Sequence, residues 1–140
     1  MGETSVQRSF RLSRRNSELL DSRAELSEES RNALADRVLG EGLRTERYPA
    51  VRFRTGAAGR REPAMIGTRL LVRQVVTTVR SERGEVEVAA ELLGIAPRLV
   101  REAVAYYAEF ADEVDADQAW ADRVEADERA RWERERLALA

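Results

Sequence analysis

The sequence predicts a mostly α-helical protein: a strand followed by two helices over residues 1–47, a short β-hairpin or linker over 48–69, a helix-turn-helix domain of three helices over 70–111, and an acidic, charged helical tail over 112–140. Three observations carry this reading. Apolar residues recur at spacings of three and four through most of the chain. Alternation of polar and apolar residues is confined to Val6–Leu12 and Val51–Arg54. Helix breakers mark the joints, with Pro49, Gly56 and Gly59 in one group and Gly84, Gly94 and Pro97 further on.

Composition bounds the answer. The chain has 140 residues, 43% hydrophobic and 36% charged, enough for one domain or two very small ones. No run of about 18 apolar residues implies a membrane span, and no apolar segment near the start implies a signal peptide. Cysteine is absent, which removes disulfide and thiolate chemistry and fits the cytoplasm. Histidine is absent too, so the commonest general base and metal ligand are missing. With no nucleophile–base pair and no metal constellation in view, no catalytic residue, cofactor or metal is assigned and an enzyme is not expected.

All 24 basic residues are Arg. Arginine is the better fork for phosphate and guanine, and codon bias in a GC-rich genome explains the same count. The net charge is −2, unevenly placed: residues 1–64 hold 13 Arg against 10 acids, residues 65–110 six of each, and residues 111–140 five Arg against ten acids. A basic front and an acidic tail suit one anionic partner and one separate protein partner.

Met1–Thr4 is expected to fray. From Val6 to Leu12, Val6, Arg8, Phe10 and Leu12 share one face and Gln7, Ser9, Arg11 and Ser13 the other. So short a strand needs a partner strand for its backbone groups. If nothing later in the chain supplies one, the partner is the same strand of a second copy. The resulting two-stranded ribbon fits the DNA major groove, with Gln7, Ser9, Arg11 and Ser13 toward the bases. Ser13 caps a helix from Arg14 to about Leu26, and Asn32 caps a second running to about Leu43. Ser30, Arg31 and Asn32 at that second helix start are a ready phosphate clamp, or serve as ordinary caps. Gly40 and Gly42 each cost about 1 kcal/mol relative to Ala in this helix.

Phe10-Arg11-Leu12, Leu19-Leu20 and Ser30-Arg31-Asn32 before Leu34 stand at ungapped spacings. On these residues the first quarter or so of the chain resembles the ribbon-helix-helix repressors. That resemblance implies an obligate dimer gripping operator DNA. The alternative is a capping strand and helical hairpin that only packs.

Val51 and Phe53 alternate with Arg52 and Arg54, and Ala64–Ile66 is a second short strand. Arg52, Arg54, Arg60 and Arg61 either reach a phosphate backbone or form a solvated strand face. Leu70–Arg83 is an amphipathic helix ended by Gly84, with Val72, Val75, Val76 and Val79 inward. Glu85–Leu93 is the next. Gly94 makes a sharp turn, and Pro97 opens a third helix that runs to about Phe110 or beyond. Ala90, Gly94 and Val100 have helix-turn-helix spacing. Arg98 and Arg101 are the exposed basic residues a recognition helix needs, and the alternative is a helix pair that merely packs.

With Ile66-Gly67-Thr68-Arg69 ahead of it, the stretch from about 48 to 112 resembles a small helix-turn-helix family that opens on a Gly-Thr-Arg signature. Many of its members look like antitoxins of the VapB kind, paired with a PIN-type ribonuclease toxin.

The run Asp112–Asp117 lacks the Gly turn and terminal Glu of a calcium loop and reads as an acidic linker and helix start. Beyond it, Trp120, Val124, Trp132, Leu137 and Leu139 form a stripe too thin for a self-supporting helix. Either the tail orders on a partner, with both tryptophans as anchors, or both pack on the body of their own dimer. The antitoxin resemblance implies toxin contacts from Trp120, Arg123, Val124, Arg131, Trp132 and Leu137. It adds Arg129 and Arg134 among the arginines offered to the toxin's acidic site. The function expected is therefore a cytoplasmic antitoxin of a type II toxin–antitoxin pair. It would bind operator DNA as a homodimer or higher even oligomer and neutralise a PIN-type toxin through its tail. The alternatives are a stand-alone dimeric transcriptional regulator and a non-DNA protein-interaction module.

Overall fold

A computed structural model describes residues 3–140, so the expectation for Met1 and Gly2 lies outside the described residues. The chain is mostly helical, with five helices and one two-stranded antiparallel sheet among the described residues. It divides into two compact units, Met1–Gly42 and Leu43–Ala140. The division falls inside the second helix rather than at residue 47. The second unit takes in the hairpin, the middle helices and the acidic tail together.

In the first unit, α1 is Arg14–Leu26 and α2 begins at Arg31 and runs on to Arg47. The Ser13 hydroxyl accepts the Asn16 N–H at 3.1 Å and so caps α1. At α2 the cap is Ser30, whose hydroxyl accepts the Ala33 N–H at 3.1 Å. Asn32, expected as the cap, lies inside the first turn instead. Residues 3–13 form no strand in the single chain. The physical reason is the one that makes any lone strand unstable: among the described residues the two strands present, Val51–Thr55 and Arg61–Met65, pair with each other, and Val6–Leu12 pairs with neither.

In the second unit, β1 (Val51–Thr55) and β2 (Arg61–Met65) make the expected hairpin, with Val51 opposite Met65 and Phe53 opposite Pro63. The Pro63 ring nitrogen faces away from β1, because the Arg54–Glu62 and Arg52–Ala64 pairs carry the ladder there. The Gly-Thr-Arg stretch is a turn. Gly67 takes φ +72, the Thr68 N–H donates to the Met65 carbonyl at 3.2 Å, and the Thr68 hydroxyl accepts from the Leu70 N–H at 3.0 Å. Helix α3 (Val72–Ser81) starts two residues later than its apolar pattern suggests, because Leu71 still bridges to Ala64 as β structure.

Helix α4 (Val86–Leu93) ends at Gly94, left-handed at φ 68, and the Ile95 N–H closes back on the Ala90 carbonyl. Helix α5 opens at Pro97 and continues to Ala138, with one break in helical geometry at Phe110 (φ −121, ψ 36). The core gathers Val51 and Met65 of the hairpin, the four valines of α3, Ala89 and Ala90 of α4, and Leu99, Val100, Ala103, Tyr106 and Val114 of α5. Among the described residues, no helix is long and apolar enough to cross a membrane.

Candidate nucleic-acid and partner surfaces

In the first unit the apolar side chains stay outside. No residue of α1 is buried, and α2 buries Leu34 alone. Val6, Phe10, Leu12, Leu19, Leu26, Val38 and Leu39 are all more than half exposed. Gln7, Ser9, Arg11 and Ser13 are exposed as well, and Ser13 is engaged as the α1 cap. Of the clamp residues, the Ser30 hydroxyl serves as a cap, and Arg31 donates through Nε to Asp21 at 2.7 Å. Both members of that ion pair are more than half exposed, so solvent screens it and it adds little to stability. Asn32 is exposed.

In the second unit, Gly94–Ala96 joins α4 to α5, and Arg98 and Arg101 lie exposed on the first turns of α5. Arg101 pairs with Glu87 at 3.1 Å on the surface. Arg52 and Arg54 project from β1 with exposed side chains.

The tail residues fall into two groups. Val114 and Asp117 are buried, and Trp120 is half-buried, its indole N–H donating to the Ala58 carbonyl of the hairpin turn at 3.1 Å. Arg60 and Arg123 lie over the same ring, at 5.8 and 5.2 Å from its centroid. Trp120 is thus an internal anchor, held by its own chain. Val124 is half-buried. Beyond it the side chains are almost all exposed: Arg131, Trp132 at 57% and Leu137 at 68%. Arg136 covers the Trp132 ring at 5.4 Å.

Between hairpin and α5 lies a polar cluster that the sequence did not announce. Glu62 is 3% exposed and accepts from Arg73 Nε at 2.7 Å. Asp117 pairs with Arg60 at 3.2 Å. Burial pushes the Asp117 carboxyl up to about 6. The nearby carboxylates of Glu62 and Glu113 push the same way, while Arg60 and Arg73 pull it down. Nearby, Arg44 donates to both Glu113 and the Tyr106 hydroxyl and stacks over Phe110 at 4.1 Å. The Glu113 hydrogen bond holds the Arg44 guanidinium well above its ordinary value, against the cost of burial. Burial raises the Tyr106 hydroxyl, with Arg44 opposing. These are structural ties, and three of them, Arg44 to Tyr106, Arg44 to Glu113 and Trp120 to Ala58, join residues more than 60 positions apart. Among the described residues, no group of three or more Asp or Glu side chains is placed to hold a metal ion, and Asp112–Asp117 is a turn of α5.

Comparisons with known protein families, with curated proteins and with solved structures find no match to this chain.

Proposed function

We propose that this protein is a dimeric DNA-binding antitoxin of a type II toxin–antitoxin pair, acting in the cytoplasm. Two copies of the Val6–Leu12 segment pair into a ribbon that presents Gln7, Ser9, Arg11 and Ser13 to the major groove. Ser30, Arg31 and Asn32 hold the flanking phosphates. Helices α4 and α5 form a helix-turn-helix whose exposed Arg98 and Arg101 add a second basic contact. The distal tail, carrying Arg131, Trp132 and Leu137, docks on a PIN-type toxin.

The observation that carries the reading is the lack of an interior in the first unit. Seven large apolar side chains stay more than half exposed while one, Leu34, is buried. Leaving such side chains in water forfeits about 1.5–3 kcal/mol each relative to burial. A second copy of the same surface would bury them and give the unpaired segment its partner strand. The test is light scattering of the full chain, with a gel shift on its upstream DNA. The expected result is a dimer that shifts the DNA, with Phe10→Asp giving monomers and Arg11→Ala weakening the shift. A wild-type monomer, or a shift that Arg11→Ala leaves untouched, removes the ribbon from the reading.

A stand-alone regulator is favoured by one observation. Trp120, one of the two aromatic anchors expected for a toxin, is held by Ala58 and Arg60 of its own chain. Co-expression with the neighbouring reading frame separates the two readings. The truncation removes residues 125–140, because Val114 and Asp117 are buried in the fold. Capture of the neighbour's product by the full chain and its loss on truncation supports the toxin partner. No capture by the full chain supports the regulator.

A further inference from the structure

Helix α5 is two stretches joined at Phe110, whose φ −121 and ψ 36 depart from helical values. The Phe110 ring is fixed at the joint. It packs against Tyr106, with ring centroids 4.8 Å apart, and lies under the Arg44 guanidinium at 4.1 Å. Before the joint, α5 buries Leu99, Val100, Ala103 and Tyr106. After it, the buried residues are Val114 and Asp117. The first stretch therefore belongs to the core, while the second is attached by little apolar area and by polar ties.

Those ties gather on the hairpin turn. The Trp120 indole N–H donates to the Ala58 carbonyl at 3.1 Å, Arg60 pairs with Asp117 at 3.2 Å, and the Arg60 guanidinium lies 5.8 Å from the Trp120 ring centroid. One more reaches α3, from Arg73 Nη1 to Gln118 Oε1 at 3.4 Å. On α5 all of them fall between Asp117 and Trp120, a single turn of helix. A segment with few buried apolar contacts opens at lower cost than the core it leans on. A break in helical geometry is where such an opening concentrates its change in φ and ψ.

We infer that residues 111–138 are a hinged lever, pivoting at Phe110 and latched to the hairpin turn by Asp117 and Trp120. Opening the latch swings a rod about 42 Å long, while α3, α4 and the first stretch of α5 keep their fold. The lever needs neither DNA nor toxin. Asp117 sets the strength of the latch. Facing it are Arg60 from the hairpin turn, Glu62 from β2, Arg73 from α3 and Glu113 from its own helix, and Glu113 is itself engaged by Arg44. Burial raises the latched carboxyl to about 6 from an ordinary 3.8, so proton uptake favours the closed form. The latch tightens as pH falls through about 6 and slackens above it.

The test is pulsed electron paramagnetic resonance on the full chain, which has no cysteine of its own. Spin labels go on Thr77→Cys in α3 and Ala126→Cys in the lever, both exposed positions. With no further change, the labelled chain is expected to show two distances, the closed population gaining about ten-fold over the open one from pH 7.5 to pH 5. Asp117→Asn is expected to stay closed at both pH values. Trp120→Phe loses the N–H and keeps a ring, and is expected to raise the open share about five-fold at both. Arg60→Ala removes the counter-charge and is expected to raise the open share at pH 7.5.

A single distance, the same at both pH values and in Trp120→Phe and Arg60→Ala, overturns the lever. Two distances whose ratio ignores pH overturn the role of Asp117. Hydrogen exchange at pH 7.5 supplies the remaining check. Trp120→Phe is expected to speed exchange in residues 111–124 and to leave α3 and residues 97–109 unchanged. Faster exchange in all three overturns the lever, because the ties would then hold the whole fold rather than one arm of it.

Discussion

Arg73 Nε lies 2.7 Å from a carboxylate oxygen of Glu62, and both side chains are largely withdrawn from solvent, at 16% and 3% exposure. Glu62 sits in β2 between exposed Arg61 and buried Pro63, and Arg73 is on the first turn of α3. The pair therefore links the hairpin to the helix that contributes four valines to the core. Removing one member strands the other charge in a poorly solvated site. Arg73→Ala is expected to cost about 3 kcal/mol, read as a lower midpoint in urea. The double variant Glu62→Leu/Arg73→Met is expected to recover most of that loss, since a well-packed apolar replacement of a buried pair is often neutral. A loss in Arg73→Ala below about 1 kcal/mol would place the pair in the surface class.

Gly56 is buried beside the same carboxylate. A Cβ added there would collide with Glu62 Oε2, and Arg73 holds that carboxylate in place through its other oxygen, Oε1. Gly56→Ala is therefore expected to destabilise the fold by about 1–3 kcal/mol through overpacking. In a Glu62→Ala background the obstruction is gone, and the same substitution is expected to cost little. A double-mutant cycle reads the coupling directly. Additive effects would show that the glycine is there for a reason other than this carboxylate.

Much of the fold follows from local spacing. α1 begins and ends where Ser13 and the Leu19–Leu26 pattern place it, because a cap and an amphipathic stripe act within one or two turns. Gly94 and Pro97 mark the α4–α5 joint because backbone conformation at those positions is set by the residue itself. The polar cluster left no such mark. The acceptor for Trp120 is a carbonyl 62 residues earlier, and the partner for Asp117 is in the hairpin turn. Nothing in the run Asp112–Asp117 distinguishes the buried Asp117 from its exposed neighbours Asp112 and Asp115 until the helix is laid against the hairpin. The first unit was not legible in the same way. Gln7, Ser9 and Arg11 are exposed, but so are Val6, Phe10 and Leu12 of the opposite face. The strand that would separate the two faces is a property of two segments, and Val6–Leu12 is one.

Asp117 gives the stability curve a definite sign. Its carboxyl is raised to about 6 in the fold from an ordinary 3.8, so the folded state binds the proton more tightly than the unfolded chain. Stability from this group is therefore fully present below pH 3.8, falls as pH rises to about 6, and stays at its lower value above that. Asp117→Asn is expected to remove the slope. The variant should be more stable than wild type by about 1–2 kcal/mol at pH 7.5, with the difference closing toward pH 4. Paired urea melts at the two pH values measure it. A variant less stable than wild type at pH 7.5 would show that the Arg60 pair outweighs the cost of burying the charge.

Gly40 and Gly42 lie within α2, and a Cβ at either meets nothing within 4 Å. Neither takes a positive φ, so neither backbone conformation requires glycine. Helix propensity is then the governing term. Gly40→Ala and Gly42→Ala are each expected to stabilise the protein by about 0.5–1 kcal/mol, visible as a higher thermal midpoint. A lower midpoint would mean that the glycines face a contact made only in an assembly, which is what the dimer reading predicts if α2 packs against its own copy.

The two tryptophans report separately on the two halves of the tail. Trp120 is half-buried with its N–H on Ala58, while Trp132 is 57% exposed. Trp132→Phe leaves Trp120 as the only indole and is expected to give blue-shifted emission with slow acrylamide quenching. Trp120→Phe leaves Trp132, with emission close to that of free tryptophan and rapid quenching. The second variant also loses a hydrogen bond worth about 1 kcal/mol and should melt lower, whereas the first should melt with wild type. If a toxin docks on the distal tail alone, its addition shifts the Trp132 signal and leaves the Trp120 signal unmoved. Movement of the Trp120 signal on complex formation would mean that the partner pulls the ring away from Ala58, and that the tail opens as far back as the hairpin turn.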